Sequence, residues 1–155
     1  MTLCYLGLGS NLSSPIRQLR QAAKELKTLP KTYITKISSI FFSKPWGILS
    51  QPPFYNMVIE INTTLPPTTL LKYCQSIELK HNRARKKHWG PRTLDIDILL
   101  YGNVELNIND LIIPHKEMVN RDFVLAPLLE ISPKAQLPNG EDLSSYLKNC
   151  EKHIQ

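Results

Sequence analysis

Two segments with helical periodicity, separated by two stretches of strand-like sequence, constrain the fold most. In residues 14–29, Ser14 followed by Pro15 is typical of a helix start, with the hydroxyl as cap and the proline in the first turn. Apolar side chains then recur at three- and four-residue steps, and residues 66–82 repeat this spacing after a proline. The spacing predicts two helices, each with one apolar face that must pack on a sheet.

Four segments have the composition of β-strands. They are residues 3–9, 33–43, 54–64 and 94–101, which are apolar or rich in β-branched and aromatic side chains. Together with the helices, they give the order strand, helix, strand, strand, helix, strand. This order predicts an α+β fold with a ferredoxin-like βαββαβ core, a mostly antiparallel sheet and both helices on one face.

The remainder of the chain carries weaker signals. Residues 112–131 combine a proline with mixed helical periodicity, and residues 143–149 have the composition of a short final helix. We therefore expect a C-terminal extension of helix and loop beside the core. Since neither a linker nor an internal repeat interrupts the sequence, we expect residues 1–155 to form a single domain.

Charge and cysteine content narrow the class of protein. The formal net charge of +6 favours an anionic partner, such as a nucleotide, a nucleic acid or an acidic membrane surface. The three cysteines are too far apart for a paired zinc or disulfide spacing. The amino terminus has no basic leader, and no apolar run approaches the roughly 20 residues of a membrane span. We expect a cytoplasmic protein that does not bind a membrane.

Two aspartates interrupt the last predicted strand, LDIDILLY at 94–101. Because side chains alternate along a strand, Asp95 and Asp97 share one face, and their Cα atoms lie roughly 6.6 Å apart. Carboxylates without a nearby His or Cys suit Mg²⁺, which completes its shell with water and substrate phosphates. The alternative is an edge strand whose outer face is merely solvated, because charged residues are mostly exposed.

A basic segment precedes this strand. Residues 83–92 contain three arginines and two lysines, and guanidinium groups bind phosphate oxygens in pairs. Basic side chains beside metal-binding carboxylates could together bind a polyphosphate. Arg83 and Arg92 are therefore candidates for stabilising charge during phosphoryl transfer. The segment GLGSN at 7–11 lacks the spacing of the known glycine-rich phosphate loops. A basic surface exposed to solvent is the alternative.

Two further functions fit the same features. Ferredoxin-like sheets also form single-stranded RNA-binding modules, and the charge of +6 with the KHNRARKK segment suits one. That function requires exposed aromatics on the central strands, whereas LDIDILLY offers carboxylates that repel a phosphate backbone unless metal ions intervene. A catalytically silent interaction domain is the other possibility, which the intact Asp95, Asp97 and Arg92 disfavour.

Four motifs resemble one enzyme family over nearly the whole chain. They are GLGSNLSSP, WGPRTLDIDI, IIPH and NRDFVLAPL, and they resemble the 6-hydroxymethyl-7,8-dihydropterin pyrophosphokinases of folate biosynthesis. The resemblance implies transfer of the β,γ-pyrophosphoryl group of ATP to the pterin hydroxymethyl oxygen, with release of AMP. It also implies ATP as co-substrate, two Mg²⁺ ions and a ferredoxin-like fold. We expect a monomer that binds ATP and a dihydropterin alcohol but no nucleic acid, with other folate enzymes as candidate partners.

The resemblance also assigns roles to individual residues. As catalytic residues, Asp95 and Asp97 are expected to hold the metal ions, and Arg83 and Arg92 to grip the β- and γ-phosphates. The expected ATP contacts are Gln75, Glu78, Arg83, Arg85, Trp89, Arg92, Ile98, His115, Lys116 and Arg121. The expected pterin contacts are Ser43, Lys44, Trp46, Phe54, Asn56, Trp89, Asp95 and Phe123. Lys116 is expected to replace a phosphate contact that is lost at Asp110.

Overall fold

The structure, a computed structural model, describes residues 1–44, 52–81 and 93–154. The strands in these ranges are β1 (Thr2–Ser10), β2 (Thr32–Ile37), β3 (Phe41–Ser43), β4 (Phe54–Thr63), β5 (Asp95–Tyr101), β6 (Leu106–Ile108) and β7 (Leu111–Ile113). The helices are α1 (Pro15–Leu26), α2 (Pro67–His81), α3 (Asp122–Ile131) and α4 (Leu143–Lys148), and a 3₁₀ turn covers Met118–Asn120. Each predicted core strand and helix is present, and the predicted final helix corresponds to α4.

The main sheet has the strand order β2-β4-β1-β5, and each neighbouring pair is antiparallel. The short β3 pairs with the first residues of β4, on the edge of β4 that also carries β2. β1 and β4 are therefore the central strands, and β5 is the end strand of the described sheet. The predicted ferredoxin-like plan is confirmed.

Helices cover both faces of the sheet. On one face, α1 and α2 bury their apolar sides in the main core, where Leu19, Leu26 and Leu70 have no exposed surface. Complete burial of a leucine side chain stabilises the folded state by about 1.5–3 kcal/mol. On the other face, α3 and α4 form a second core with Tyr5 and Val58. Within the described ranges, no helix has both the length and the apolar character needed to cross a membrane.

The segment predicted as one strand over 33–43 is divided in two. β2 ends at Ile37 and β3 begins at Phe41, and Ser38 lies in the break. The hydroxyl of Ser38 accepts the backbone N–H of Val58 at 2.8 Å, while the N–H of Ser38 donates to the carbonyl of Val58 at 2.9 Å. Because this side chain takes a donor that a strand carbonyl would otherwise accept, the ladder is interrupted there. The prediction of a continuous strand is wrong at this point.

The start of α1 also differs from the sequence prediction. Ser14 has φ 62° and ψ 69°, in the left-handed region, and its side chain makes no capping hydrogen bond. Its backbone carbonyl instead accepts the N–H of Gln18 at 3.0 Å. The predicted hydroxyl cap is therefore wrong, although Pro15 does begin the helix as expected. The helix ends at Leu26 and not at residue 29.

The sequence does not predict the hairpin of β6 and β7. Each strand has three residues, which is too short to show alternation of apolar and polar side chains. The hairpin leads directly to His115, whose backbone N–H donates to the carbonyl of Leu99 in β5 at 3.0 Å. It therefore fixes His115 beside the strand that carries both aspartates.

Candidate active site

A cavity of about 370 Å³ opens on the face of the sheet that carries α3 and α4. Alternate residues of three neighbouring strands form its floor: Gly7 and Gly9 of β1, Asn56 and Val58 of β4, and Asp95 and Asp97 of β5. Its walls include Ser43, Lys44, Phe54, His115, Arg121, Phe123, Val124 and His153. A volume in this range is typical of a small-molecule site.

The cavity brings together many of the residues predicted from the sequence. The predicted pterin residues within the described ranges all line it: Ser43, Lys44, Phe54, Asn56, Asp95 and Phe123. The predicted metal or ATP residues that line it are Asp97, His115 and Arg121. Gln75 and Lys116 are exposed and do not line it, and Ile98 is buried in the main core. Trp46, Arg83, Arg85, Trp89 and Arg92 lie outside the described residues.

Strand alternation directs the two aspartates to the cavity. Asp95 and Asp97 are half-buried there, whereas Ile96 between them is buried in the core on the opposite face. Their paired residues in β1 are Gly9 and Gly7, which have no side chain to stand beside the carboxylates. Two carboxylates on one face repel each other unless a cation lies near them. The pair is therefore suited to bind a cation.

His115 lies beside this pair. Its Nδ1 accepts the backbone N–H of Glu117 at 3.2 Å, so the neutral ring carries its proton on Nε2. Nε2 is 3.8 Å from Oδ2 of Asp97, which is longer than a hydrogen bond. Across residues 1–44, 52–81 and 93–154, no three or more His, Cys, Asp or Glu side chains form a group that could hold a metal ion. A cation bound by Asp95 and Asp97 would therefore need further ligands from water or a substrate, as Mg²⁺ commonly takes.

Asn56 has a buried, unused donor on the cavity floor. Its Nδ2 atom has no hydrogen-bond partner among the described residues. A buried donor without a partner costs about 1–3 kcal/mol. Gly9 is paired with Asn56, and a Cβ added at Gly9 would lie 2.6 Å from Oδ1 of Asn56. The glycine therefore leaves room for the amide, and the unused donor indicates a ligand with an acceptor atom.

Two aromatic side chains flank the cavity. Phe54 begins β4 and is paired with Ser43 at the end of β3, while Phe123 lies in the first turn of α3. The guanidinium carbon of Arg121 is 5.8 Å from the centre of the Phe123 ring, within the range of a cation–π contact. Aromatic side chains beside an amide suit a flat heterocycle with polar edges.

Glu78 lies on α2, outside the cavity. Its Oε2 accepts the backbone N–H of Ile96 at 2.8 Å, at the residue between the two aspartates. Since β5 is the end strand of the described sheet, this N–H points away from β1 and toward α2. Glu78 thereby fixes the part of β5 that carries both carboxylates.

Two parts of the site are absent from the sequence predictions. Gly7 and Gly9 form part of the floor, and their two-residue spacing within a strand is a signal that places them on one face. His153 also lines the cavity, with its side chain 13% exposed. It lies near the end of an extension without a recognisable motif, so no local pattern signals it.

Comparison with known proteins gives consistent matches along the chain. Residues 5–133 match the family model described as 7,8-dihydro-6-hydroxymethylpterin-pyrophosphokinase (HPPK). The chain is 43% identical to the 2-amino-4-hydroxy-6-hydroxymethyldihydropteridine pyrophosphokinase of Haemophilus influenzae, over 99% of this chain and 96% of that protein. It is 44% identical to the bifunctional protein FolKE of Lactococcus lactis over 84% of this chain, but the match covers 38% of that protein.

Solved structures share the fold. A structure of HPPK-DHPS in complex with substrates has a TM-score of 0.70 at 15% identity, and the match covers 96% of this chain and 43% of that chain. A triple mutant of Plasmodium falciparum HPPK-DHPS with pteroate has a TM-score of 0.71 at 13% identity, with the same shares covered. The chain thus spans less than half of those proteins.

The family is settled by the extent of these matches. The family model covers most of the chain, and the Haemophilus influenzae relative is matched over nearly its full length. The family predicted from the four motifs is confirmed. The chain belongs to the 7,8-dihydro-6-hydroxymethylpterin-pyrophosphokinase family, whose reaction in folate biosynthesis transfers pyrophosphate from ATP to the hydroxymethyl group of the pterin.

Proposed function

We propose that this chain carries out its family's reaction with the cavity as the pterin site and with two Mg²⁺ ions held by Asp95 and Asp97. The observation that carries the proposal is that the unpartnered amide of Asn56 lies in the same cavity as both carboxylates. The amide suits the polar edge of a pterin, and the carboxylates suit a metal-bound triphosphate. The hydroxymethyl group and the triphosphate would then meet above β5.

The pterin ring presents donors and acceptors along one amide-like edge. Asn56 offers both a carbonyl oxygen and an NH₂ group, so its side chain matches such an edge. Pairing the buried Nδ2 with a ring acceptor would remove the cost of leaving it unpaired. Phe54 and Phe123 offer apolar surface to the ring, and Ser43 and Lys44 border it.

The donor set at Asp95 and Asp97 fits Mg²⁺, because carboxylate oxygens are its preferred protein ligands and substrate phosphates complete its shell. When bound, the ions would neutralise charge on the triphosphate and polarise the β-phosphate. We assign His115 and Arg121, which line the same cavity, to the phosphates. The resemblance of the sequence to the family supports the assignment of Arg83 and Arg92, Gln75, Glu78, Arg85, Trp89, Ile98 and Lys116 to ATP.

In the proposed reaction, the hydroxymethyl oxygen attacks the β-phosphorus of ATP. A bond forms between that oxygen and the β-phosphorus, while the bond from the β-phosphorus to the oxygen that bridges it to the α-phosphorus breaks. AMP leaves with the bridging oxygen, and the hydroxyl proton is released. The side chains contribute by holding the pterin in line with the phosphates and by placing positive charge around them.

The two alternative functions lose support from the architecture. A single-stranded RNA-binding module needs an exposed sheet face with aromatic side chains. Here helices cover both faces, and Tyr5 of the central strand β1 is only 9% exposed. A silent interaction domain gives no reason for a cavity that combines two carboxylates with an unpaired amide.

We further propose that residues 1–155 form one domain that works as a cytoplasmic monomer. Cys4, Cys74 and Cys150 are free thiols, which suits a reducing compartment. Burial raises the pKa of Cys4 and of Cys74 to about 12, so both remain protonated at neutral pH.

The FolKE and HPPK-DHPS proteins carry a similar segment within a longer chain, which makes other folate enzymes candidate partners. Light scattering during size-exclusion chromatography measures the molar mass in solution and so tests whether the protein is a monomer.

The proposed function is tested by incubating the protein with MgATP and 6-hydroxymethyl-7,8-dihydropterin and separating the products by chromatography. We expect AMP and the pterin diphosphate in equal amounts, and neither product after EDTA is added. A reaction without the pterin controls for simple hydrolysis of ATP. Formation of ADP instead of AMP would contradict pyrophosphoryl transfer. Turnover that continues in EDTA would contradict the proposed dependence on Mg²⁺.

Gly9→Ala is expected to raise the KM for the pterin by at least about tenfold, because the new Cβ would lie 2.6 Å from Oδ1 of Asn56 and displace the amide. Steady-state kinetics with each substrate varied in turn measures this. Gly7→Ala is the comparison on the same cavity floor, since its Cβ would meet the flexible side chain of Leu99 at 3.3 Å and not Asn56. Equal pterin KM values in the two variants would show that the Gly9–Asn56 contact does not shape the pterin site.

Glu78→Ala is expected to lower kcat about tenfold and to destabilise the protein by about 1–3 kcal/mol, because the N–H of Ile96 loses its acceptor. Glu78→Gln keeps an acceptor oxygen, so it should retain most of the wild-type kcat and most of the wild-type stability. Thermal unfolding and initial rates at saturating substrates measure the two effects. If alanine and glutamine reduce kcat equally, the negative charge of Glu78 matters and the support of β5 does not.

A further inference from the structure

His153 lines one wall of the cavity, and Ile154 follows it in the chain. The backbone N–H of His153 donates to Oδ2 of Asp122 at 2.7 Å, and the N–H of Ile154 donates to the same oxygen at 3.0 Å. Asp122 is 4% exposed and begins α3, immediately before Phe123. Hydrogen bonds from two N–H groups to one buried carboxylate are charge-assisted, so they hold this segment firmly.

The same segment is tied to a second wall. The carbonyl of His153 accepts the backbone N–H of Lys44 at 3.3 Å, and Ile154 forms a β-bridge with Ser43. Ser43 and Lys44 line the cavity at the end of β3. Residues 153 and 154 therefore connect the start of α3 to the end of β3 across the cavity wall.

The imidazole of His153 is largely buried and lines the cavity. Its centre is 6.3 Å from the centre of the Phe123 ring, and the two ring planes are tilted by 58°. This distance and tilt are typical of interacting aromatic pairs. The ring thus stands beside the aromatic side chain assigned above to the pterin.

We propose that His153 is a pterin-contacting residue whose ring closes the cavity against Phe123, and that Asp122 is the positioning residue that holds it there. This inference rests on the proposed function, because it takes the pterin as the occupant of the cavity. The volume of about 370 Å³ is near the lower end for ligand sites, so one wall side chain supplies a substantial part of the contact surface. The ring of His153 stands beside Phe123, which is assigned to the pterin, so loss of that ring is expected to weaken binding of the pterin and not of ATP.

Steady-state kinetics on four variants tests this inference. His153→Ala is expected to raise the KM for the pterin about tenfold, with kcat and the KM for ATP within about twofold of wild type. His153→Phe keeps a ring and is expected to restore the pterin KM to within about twofold. Lys152→Ala, at the exposed neighbouring residue, is the matched control and should equal wild type. Asp122→Ala should raise the pterin KM in the same direction as His153→Ala.

Several outcomes would overturn the inference. These are an unchanged pterin KM in His153→Ala, an equal loss for both substrates, or failure of phenylalanine to restore the pterin KM. Asp122→Asn keeps an acceptor for the two N–H groups, so it should recover pterin binding if Asp122→Ala is too unstable to assay. Absence of AMP formation by the wild-type protein would instead refute the proposed function, which keeps the two failures distinct.

Discussion

Asp97→Asn is expected to lower kcat by at least about a thousandfold while leaving the fold intact. Asparagine keeps the shape of the side chain but loses the charge that would hold a cation beside the triphosphate. The Asp97 side chain is 47% exposed in the cavity, so the substitution removes no core packing. We expect the same result for Asp95→Asn. AMP formation at saturating substrates, followed over a range of Mg²⁺ concentrations, measures the effect, and thermal unfolding checks the fold.

Glu105→Gln is the matched control for both substitutions, because it removes an exposed carboxylate between β5 and β6. Its turnover should equal that of wild type at every Mg²⁺ concentration. If Asp97→Asn and Asp95→Asn also kept full turnover at low Mg²⁺, the two aspartates would not be metal ligands. The proposed metal site would then have to be abandoned, whereas the family assignment would stand.

Asn56→Ala is expected to raise the KM for the pterin by about a hundredfold and to change the KM for ATP little. The variant loses the side-chain carbonyl oxygen and the NH₂ group, which would both hydrogen-bond to the polar edge of the ring. It also removes a buried Nδ2 that has no partner among the described residues, so the unliganded protein should not lose stability through that atom. A loss of pterin affinity without a loss of protein stability would distinguish a ligand contact from a structural one.

Asn62→Ala provides the control for that experiment. Asn62 lies on the same strand, β4, and also has a buried side-chain atom, Oδ1, without a partner in the described ranges. It does not line the cavity. Calorimetric titration should therefore show weaker pterin binding in Asn56→Ala than in Asn62→Ala. Thermal unfolding should show no difference in stability between the two variants. If both bind the pterin as tightly as wild type, Asn56 does not contact it.

Periodicity predicts the features that repeat along the chain. Strand alternation is sufficient to place Asp95 and Asp97 on one face, and helical spacing is sufficient to identify the buried sides of α1 and α2, because burial follows the geometry of each element. Periodicity cannot show that Phe54 and Phe123 meet in one cavity, since they belong to different elements. The resemblance to the family predicts that meeting, because it assigns both side chains to the pterin.

Neither periodicity nor the family resemblance predicts features that depend on particular long-range contacts. The break between β2 and β3 follows from the bond of Ser38 to Val58, and a serine in a strand-like sequence does not reveal its partner. The need for glycine at residue 9 follows from the position of Asn56 on another strand. His153 is held at the cavity by contacts with two distant segments, because Asp122 accepts its backbone N–H and the N–H of Lys44 donates to its carbonyl.

The hydrogen bond between Glu78 and Ile96 also bears on contacts between protein molecules. β5 ends the described sheet, and an outward N–H on an end strand can recruit a strand of another molecule. Glu78 occupies that donor, and Asp95 and Asp97 add negative charge to the same strand. The carboxylate on α2 therefore occupies one outward donor of β5 at which a strand of another molecule could otherwise pair.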